Sequence, residues 1–372
     1  MKALTLTLDT VGTVARGHPW VYRNGVVGSA KIGEAVRLVD NKGKGVAFGL
    51  FDEGIIAVRV LGREAVDVVT LIRSRVAEAI ARRSLIGGTT DTFRLCNGEG
   101  DGLPGLVLDR YGQVVVVRLY ARAWESWIGA IVDAIPTEFH TVYRRFGVGR
   151  VDDREGGEPL RGAEPPDVVI VREHDMRLLV RVKVGQKTGL FLDQREHRRL
   201  VRGWSAGRSV VNLFSYNGGF SVAAALGGAT RVVSVDQSVG AIDDARENFR
   251  LNGLDPDAHG FEVADVFAWK GNPVDFVICD PPSLTRDKSS DDPARGAYRS
   301  LHRHIAPMAQ SLLATSSCTA RLSSDRWEEC VRDGVGGGWS WLHRSGESID
   351  HPVAIGHPEG RYLKFGLLRR RT

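Results

Sequence analysis

The sequence predicts an α/β chain whose C-terminal half is an open, doubly wound sheet of parallel strands, preceded by a small β-rich module and an α+β module. Three observations carry this. From about residue 185 onwards, short β-branched runs alternate with stretches of helical spacing, the pattern of strand, crossover helix and parallel strand. One such run, Val210-Val211-Asn212-Leu213-Phe214, empties into Ser215-Tyr216-Asn217-Gly218-Gly219, where glycines let a backbone pass close to a ligand. Successive runs end in Asp236, Asp265 and Asp280, at the carboxyl edge where open α/β proteins bind ligands.

At 372 residues the chain exceeds one ordinary core of ~100–200 residues, and composition divides it into modules at 1–66, 67–184 and 185–372. Lys and Arg number 50 against 45 Asp and Glu, a net charge of +5 rich in Arg. That balance suits a phosphate-bearing partner, although an Arg-rich proteome accounts for it equally well. Four cysteines without a CxxC pair exclude a disulfide framework and a zinc site; no metal is expected, and a reducing cytosol fits. The start alternates like a strand, and no apolar run approaches the ~18 residues of a membrane span. A soluble, cytoplasmic protein without membrane contact is expected.

In the first module, Ala35-Val36-Arg37-Leu38-Val39 and Ile55-Ile56-Ala57-Val58-Arg59-Val60 flank the turn-rich 40–45 and read as strands. Arg16-Gly17-His18-Pro19-Trp20-Val21-Tyr22 sets basic and aromatic groups on a loop that could meet phosphate and stack on a base. The same Trp and Tyr could instead close a small barrel.

A helix is expected over 67–84, where Val68, Leu71, Ile72, Val76 and Ile80 share one face before Gly87-Gly88. Strands follow at 93–96 and 106–109, joined by Gly98-Glu99-Gly100-Asp101-Gly102-Leu103-Pro104-Gly105. That turn lacks the ligand spacing of a calcium loop. Further strands are expected at 113–120 and, as a hairpin turning near His174-Asp175, over 168–184; 154–159 reads as an exposed linker.

In the last module, strands are expected at 209–214, 231–235, 260–263, 274–279 and 312–316. Before them, Gly185-Gln186-Lys187-Thr188-Gly189-Leu190-Phe191-Leu192-Asp193-Gln194-Arg195 leads into a helix with His197, Arg198 and Arg199 exposed; the plain alternative is a basic helix capped by Asp193, which leaves the Gly-Gln-Lys-Thr-Gly run unexplained. Lys187 and Arg195 are placed there near RNA phosphates. Gly334-Val335-Gly336-Gly337-Gly338 is the one slack stretch.

The chemistry gathers on that module. Asp236, seventeen residues past Gly219, can accept both hydroxyls of an adenosine ribose, and Asp265 can take the adenine amino group. Asp280-Pro281-Pro282 presents a carboxylate and two unpaired carbonyls. Ser283 follows where an amino-methylating enzyme would carry an aromatic residue, which argues against that chemistry. Cys318 follows the fifth strand. A thiolate there is what methylation of cytosine C5 requires, because that carbon is not nucleophilic until a nucleophile adds to C6. A lone cysteine is more often a small buried residue, and Cys96, Cys279 and Cys330 are assigned that role.

Taken together, Gly17-His18-Pro19-Trp20, Asn97-Gly98-Glu99-Gly100-Asp101-Gly102-Leu103-Pro104-Gly105, Lys187-Thr188-Gly189-Leu190-Phe191-Leu192-Asp193-Gln194-Arg195, residues 212–219, Cys279-Asp280-Pro281-Pro282, Thr315-Ser316-Ser317-Cys318 and His357-Pro358-Glu359-Gly360-Arg361-Tyr362-Leu363-Lys364 resemble the ribosomal large-subunit methyltransferase I family over nearly the whole chain. The resemblance implies an N-terminal PUA domain, a central α+β domain and a class I, Rossmann-like methyltransferase domain with a seven-stranded sheet. It implies S-adenosylmethionine as cofactor and 5-methylcytosine in large-subunit rRNA as product. Asn212, Phe214, Ser215, Tyr216, Gly218, Asp236 and Asp265 are then cofactor residues, with Gln194 and Asp280 on the same side. Asp280 also holds the target base and Cys318 is the nucleophile; Arg16, His18, Trp20, Lys187 and Arg195 are the RNA candidates from the residues themselves. The chain departs from the family at Ala306-Pro307-Met308-Ala309-Gln310, where a Pro-Gly-Gly turn is usual. A homodimer is left open. The alternatives are an rRNA guanine methyltransferase, which needs no cysteine, and an RNA-binding or assembly factor without turnover.

Overall fold

The computed structural model describes residues 1–147, 154–284 and 292–371, in two compact units. The first comprises Met1–Arg172, Val180–Leu192 and Ile349–Gly360, and the second Glu173–Leu179, Asp193–Ser348 and Arg361–Thr372. No helix among the described residues is long and apolar enough to cross a membrane.

Alternating apolar residues build the start of the first unit. Leu4 and Leu6 of strand Lys2–Leu6 join Val21, Val36, Leu38 and Val58 in one core, under a six-stranded sheet ordered Trp20–Tyr22, Ile56–Gly62, Gly45–Phe51, Ala35–Val39, Lys2–Leu6, Val26–Val27. A short helix, Leu8–Ala15, follows the first strand; the alternating start concealed it.

The next sheet has five strands, ordered Gly157–Arg161, Thr141–Arg145, Val114–Leu119, Leu106–Tyr111, Thr92–Asn97. Helix Val68–Arg82 buries Val68, Leu71, Ile72 and Val76 as its spacing requires, and the Asp67 carboxylate accepts the Thr70 N–H at 2.8 Å as its cap. The supposed linker at 154–159 is corrected in part, since Gly157–Arg161 pairs with Thr141–Arg145 as an edge strand. In the glycine-rich turn, Asp101 is 3% exposed and takes the Arg83 guanidinium at 2.6 Å.

In the second unit, seven strands lie in the order Gly260–Val263, Arg231–Asp236, Ser209–Leu213, Val274–Cys279, Ala309–Ser317, Lys364–Arg370, Trp339–Ser345. The first five are parallel, and Lys364–Arg370 runs against both its neighbours. Val210, Val211, Leu213, Phe276, Val277 and Ile278 are all at most 1% exposed, as strands covered on both faces must be. The direction in which strands are added reverses at Ser209–Leu213 and Val274–Cys279, the crevice where this class of sheet binds ligands. Register aligns Leu213 with Cys279, Cys279 with Thr315, and Ser317 with Lys364. One sheet edge therefore carries the glycine turn, Asp280 and Cys318.

Candidate active site

The turn after Ser209–Leu213 is strained in a way that sequence alone did not reveal. Phe214 and Tyr216, neither of them glycine, take left-handed φ values of 58° and 47°, and Gly218 takes 77°. Such residues cost of order 1 kcal/mol or more each and collect at ligand clamps. The turn is held by Ser215 N–H on the Val235 carbonyl, 3.0 Å, and Tyr216 N–H on Asp236 Oδ2, 2.9 Å. Asn212 Nδ2 donates to Ser221 Oγ at 2.9 Å. Asn212 Oδ1 and Ser215 Oγ, however, are buried with no hydrogen-bond partner among the described residues. Leaving a buried polar atom unmet costs about 1–3 kcal/mol, so both are fitted to a polar ligand laid across the turn.

Asp236 ends its strand with Oδ2 on Tyr216 N–H and Oδ1 on Ser238 N–H, 3.0 Å. Each oxygen keeps a second lone pair for a ribose hydroxyl. Asp265 is exposed, its Oδ1 accepting the Phe267 N–H at 3.0 Å. Beside it lie two residues the sequence reading missed. Val263 and Phe267 are 50% and 49% exposed, and Phe267 meets the Phe214 ring edge-on at 5.7 Å, leaving apolar surface suited to a flat heterocycle. Two apolar residues flanking an acid at a strand end were the available signal.

Asp280 is half-buried and anchored. Its Oδ1 accepts Gln194 Nε2 at 2.9 Å and the Ser316 hydroxyl. Gln194 Oε1 in turn faces His197 Nδ1 at 2.5 Å, and the imidazole stacks on Phe365, 4.1 Å between centroids and 7° between planes. Burial pushes the imidazole down to about 3, so the ring is neutral. With Nδ1 as its donor, His197 fixes the Gln194 amide in the orientation that points its NH2 at Asp280.

Cys318 sits one residue past strand Ala309–Ser317, partly exposed. Ser317 Oγ donates to the Tyr298 hydroxyl at 2.9 Å. The phenol is pushed up by burial first, and the acids Cys318 and Asp280 raise it further, which sets both candidates about one side chain. Cys96, Cys279 and Cys330 are buried, and burial pushes all three thiols up, consistent with structural roles.

The basic helix needs correction. Helix Arg195–Gly203 buries Arg195 at 0%, His197 at 3% and Arg198 at 2%; only Arg199 of those called exposed lies at the surface. Arg198 pairs with the buried Glu173 through Nε at 2.6 Å, and Arg195 Nε reaches Glu196 at 2.9 Å. A guanidinium so enclosed is not presented to a phosphate. The N-cap position falls on Gln194, and Asp193 accepts the Tyr362 hydroxyl at 2.7 Å.

The remaining RNA candidates lie in the first unit. Arg16 is exposed at the end of helix Leu8–Ala15. His18 is 8% exposed with Nε2 3.5 Å from Glu359, and Trp20 Nε1 donates to Glu99 at 2.8 Å with its ring 4.3 Å from that of His357. Both side chains are thus engaged in a partly buried cluster. Lys187 adopts φ 53° and lies over the Phe191 ring at 4.5 Å.

Residues 138–330 match the family pattern described as S-adenosylmethionine-dependent methyltransferase, and residues 4–63 that of a PUA-like domain. The Ribosomal RNA large subunit methyltransferase I of Escherichia coli K12 is 34% identical over 387 aligned residues, covering 97% of each chain, and that of Escherichia coli O1:K1 matches equally. The crystal structure of SMU.776 complexed with SAH superposes with a TM-score of 0.89 at 25% identity, over 99% of this chain and 100% of that one. A second structure, from Streptococcus mutans, shares the fold with a TM-score of 0.87 at 24% identity, over the same shares of each chain.

Proposed function

Because the chain belongs to the ribosomal RNA large subunit methyltransferase I family, we propose that it methylates carbon 5 of a cytosine in large-subunit rRNA through a covalent adduct on Cys318. The observation that carries this reading is the placement of Cys318 and Asp280 at neighbouring strand ends about Tyr298.

Asn212 Oδ1 and Ser215 Oγ, both without a hydrogen-bond partner among the described residues, would meet the polar part of S-adenosylmethionine, Asp236 its ribose, and Asp265 with Val263 and Phe267 its adenine. The cofactor supplies an electrophilic methyl group on a sulfonium. Cys318 adds to C6 and moves electron density onto C5. Asp280, its Oδ1 held by Gln194 and Ser316, accepts from the cytosine N4 amino group and orients the ring. Once a base has taken the C5 proton, expulsion of the sulfur restores the aromatic ring. The target nucleotide must be unpaired or flipped to enter, and exposed Arg16 is suited to backbone phosphate. A cytosolic enzyme acting on its ribosomal substrate follows from this reading.

Methylation of a guanine amino group is disfavoured because exposed Ser283 follows Pro281-Pro282, leaving no aromatic side chain there to clamp the base. The test is Cys318→Ala with unmodified rRNA and labelled cofactor. Loss of turnover with cofactor binding retained is expected, whereas undiminished turnover excludes the adduct.

A further inference from the structure

Lys364 opens the reversed strand Lys364–Arg370, directly across from Ser317 in the antiparallel register. It is 3% exposed. Its Nζ donates to the carbonyl of Thr319, the residue after Cys318, and to that of Tyr362 at 3.1 Å. A buried lysine is costly unless its charge is met, yet both hydrogen bonds end on carbonyl dipoles. The two acidic groups acting on it are Glu347, whose Oε1 is engaged by the Leu363 N–H at 2.8 Å, and Cys318.

We propose that Lys364 accepts the proton of the Cys318 thiol and, as an ammonium, holds the sulfur as the thiolate, a role that rests on Cys318 being the nucleophile. The step is one proton transfer: the S–H bond breaks, its electron pair stays on sulfur, and an N–H bond forms on Nζ. Burial pushes the Lys364 ammonium down to about 8, with Glu347 and Cys318 acting in the opposite sense, close to the ~8.5 of an ordinary thiol. An exchange between two such groups is nearly balanced, and an adjacent ammonium tips it toward thiolate. Tyr298, on which Cys318 and Asp280 both act, is itself an acid and offers the sulfur no positive charge. Lys364, on the adjoining antiparallel strand, is a cation on which Cys318 acts.

The test is the pH profile of Cys318 alkylation by iodoacetamide, followed at the Cys318 peptide by mass spectrometry in the full chain. Cys96, Cys279 and Cys330 are buried and report unfolding if they label. In the parent chain the profile is expected to turn well below the ~8.5 of an ordinary thiol; a midpoint at or above it overturns the proposal without any variant. In Lys364→Met the rate at neutral pH should fall about tenfold or more as the midpoint rises by about a unit, and Lys364→Arg should restore part of the loss. An unchanged profile in Lys364→Met, with the buried cysteines protected, also overturns it. Retained rRNA turnover in Cys318→Ala would remove the nucleophile while leaving the alkylation result standing, so the two failures are separable.

Discussion

Gln194 places its amide Nε2 2.9 Å from Asp280 Oδ1, and His197 holds the other end of that amide. The carboxylate that is to meet the target base is thus oriented in part from a buried helix start. Gln194→Leu removes the donor at little change in volume. Turnover on rRNA should fall about 10–100-fold, since misplacing a reacting group has that order of cost. Cofactor affinity by calorimetry should stay within about threefold of the parent if Gln194 serves the base and not the cofactor.

His197 has a folded-state pKa of about 3, lowered chiefly by burial, against ~6.5 unfolded. Between those values the unfolded chain binds the extra proton, so stability is complete above about pH 6.5 and is lost as pH falls toward 3, by on the order of a few kcal/mol. In His197→Gln, urea midpoints measured from pH 7 to pH 4 should decline less steeply than in the parent. His302, pushed to about 4 by burial, remains in both and leaves a residual slope. Parallel declines would contradict the assignment.

Asp236 ties the strained turn through the Tyr216 N–H and is the proposed ribose acceptor. Asp236→Ala should weaken S-adenosylmethionine binding about 10–100-fold, the loss of one or two charge-assisted hydrogen bonds. Calorimetry reads this directly, and unchanged affinity would place the ribose elsewhere.

Gly218 combines φ 77° with a position where an added Cβ would lie 2.8 Å from Ala245 Cβ. Gly218→Ala should cost about 1–2 kcal/mol in thermal or urea unfolding. Substituting Gly207, at φ 71° with open space around it, should cost less.

Much of this was legible in the chain because period and punctuation agree. The parallel strands are runs too short for helices, and four of the five end in the acid or glycine turn that the carboxyl edge uses, so the turn at 212–219, Asp236, Asp280 and Cys318 fall where their spacing put them. What sequence could not give is partnership at a distance. Arg198 reads as a solvated helical charge until Glu173 is brought to it, and His197 as a surface base until Phe365 covers its ring. Helix Leu8–Ala15 was hidden because its apolar residues continue a strand-like start. Lys364 lay in plain view within an apolar run, but its meaning depends on the antiparallel pairing with Ser317, which no local pattern encodes.

The most direct measurement is the identity of the methylated atom. After incubation of the protein with unmodified large-subunit rRNA and labelled S-adenosylmethionine, mass spectrometry of the digested RNA should find the label in 5-methylcytidine alone. Label in a guanosine, or in cytidine at the amino nitrogen, would contradict the account.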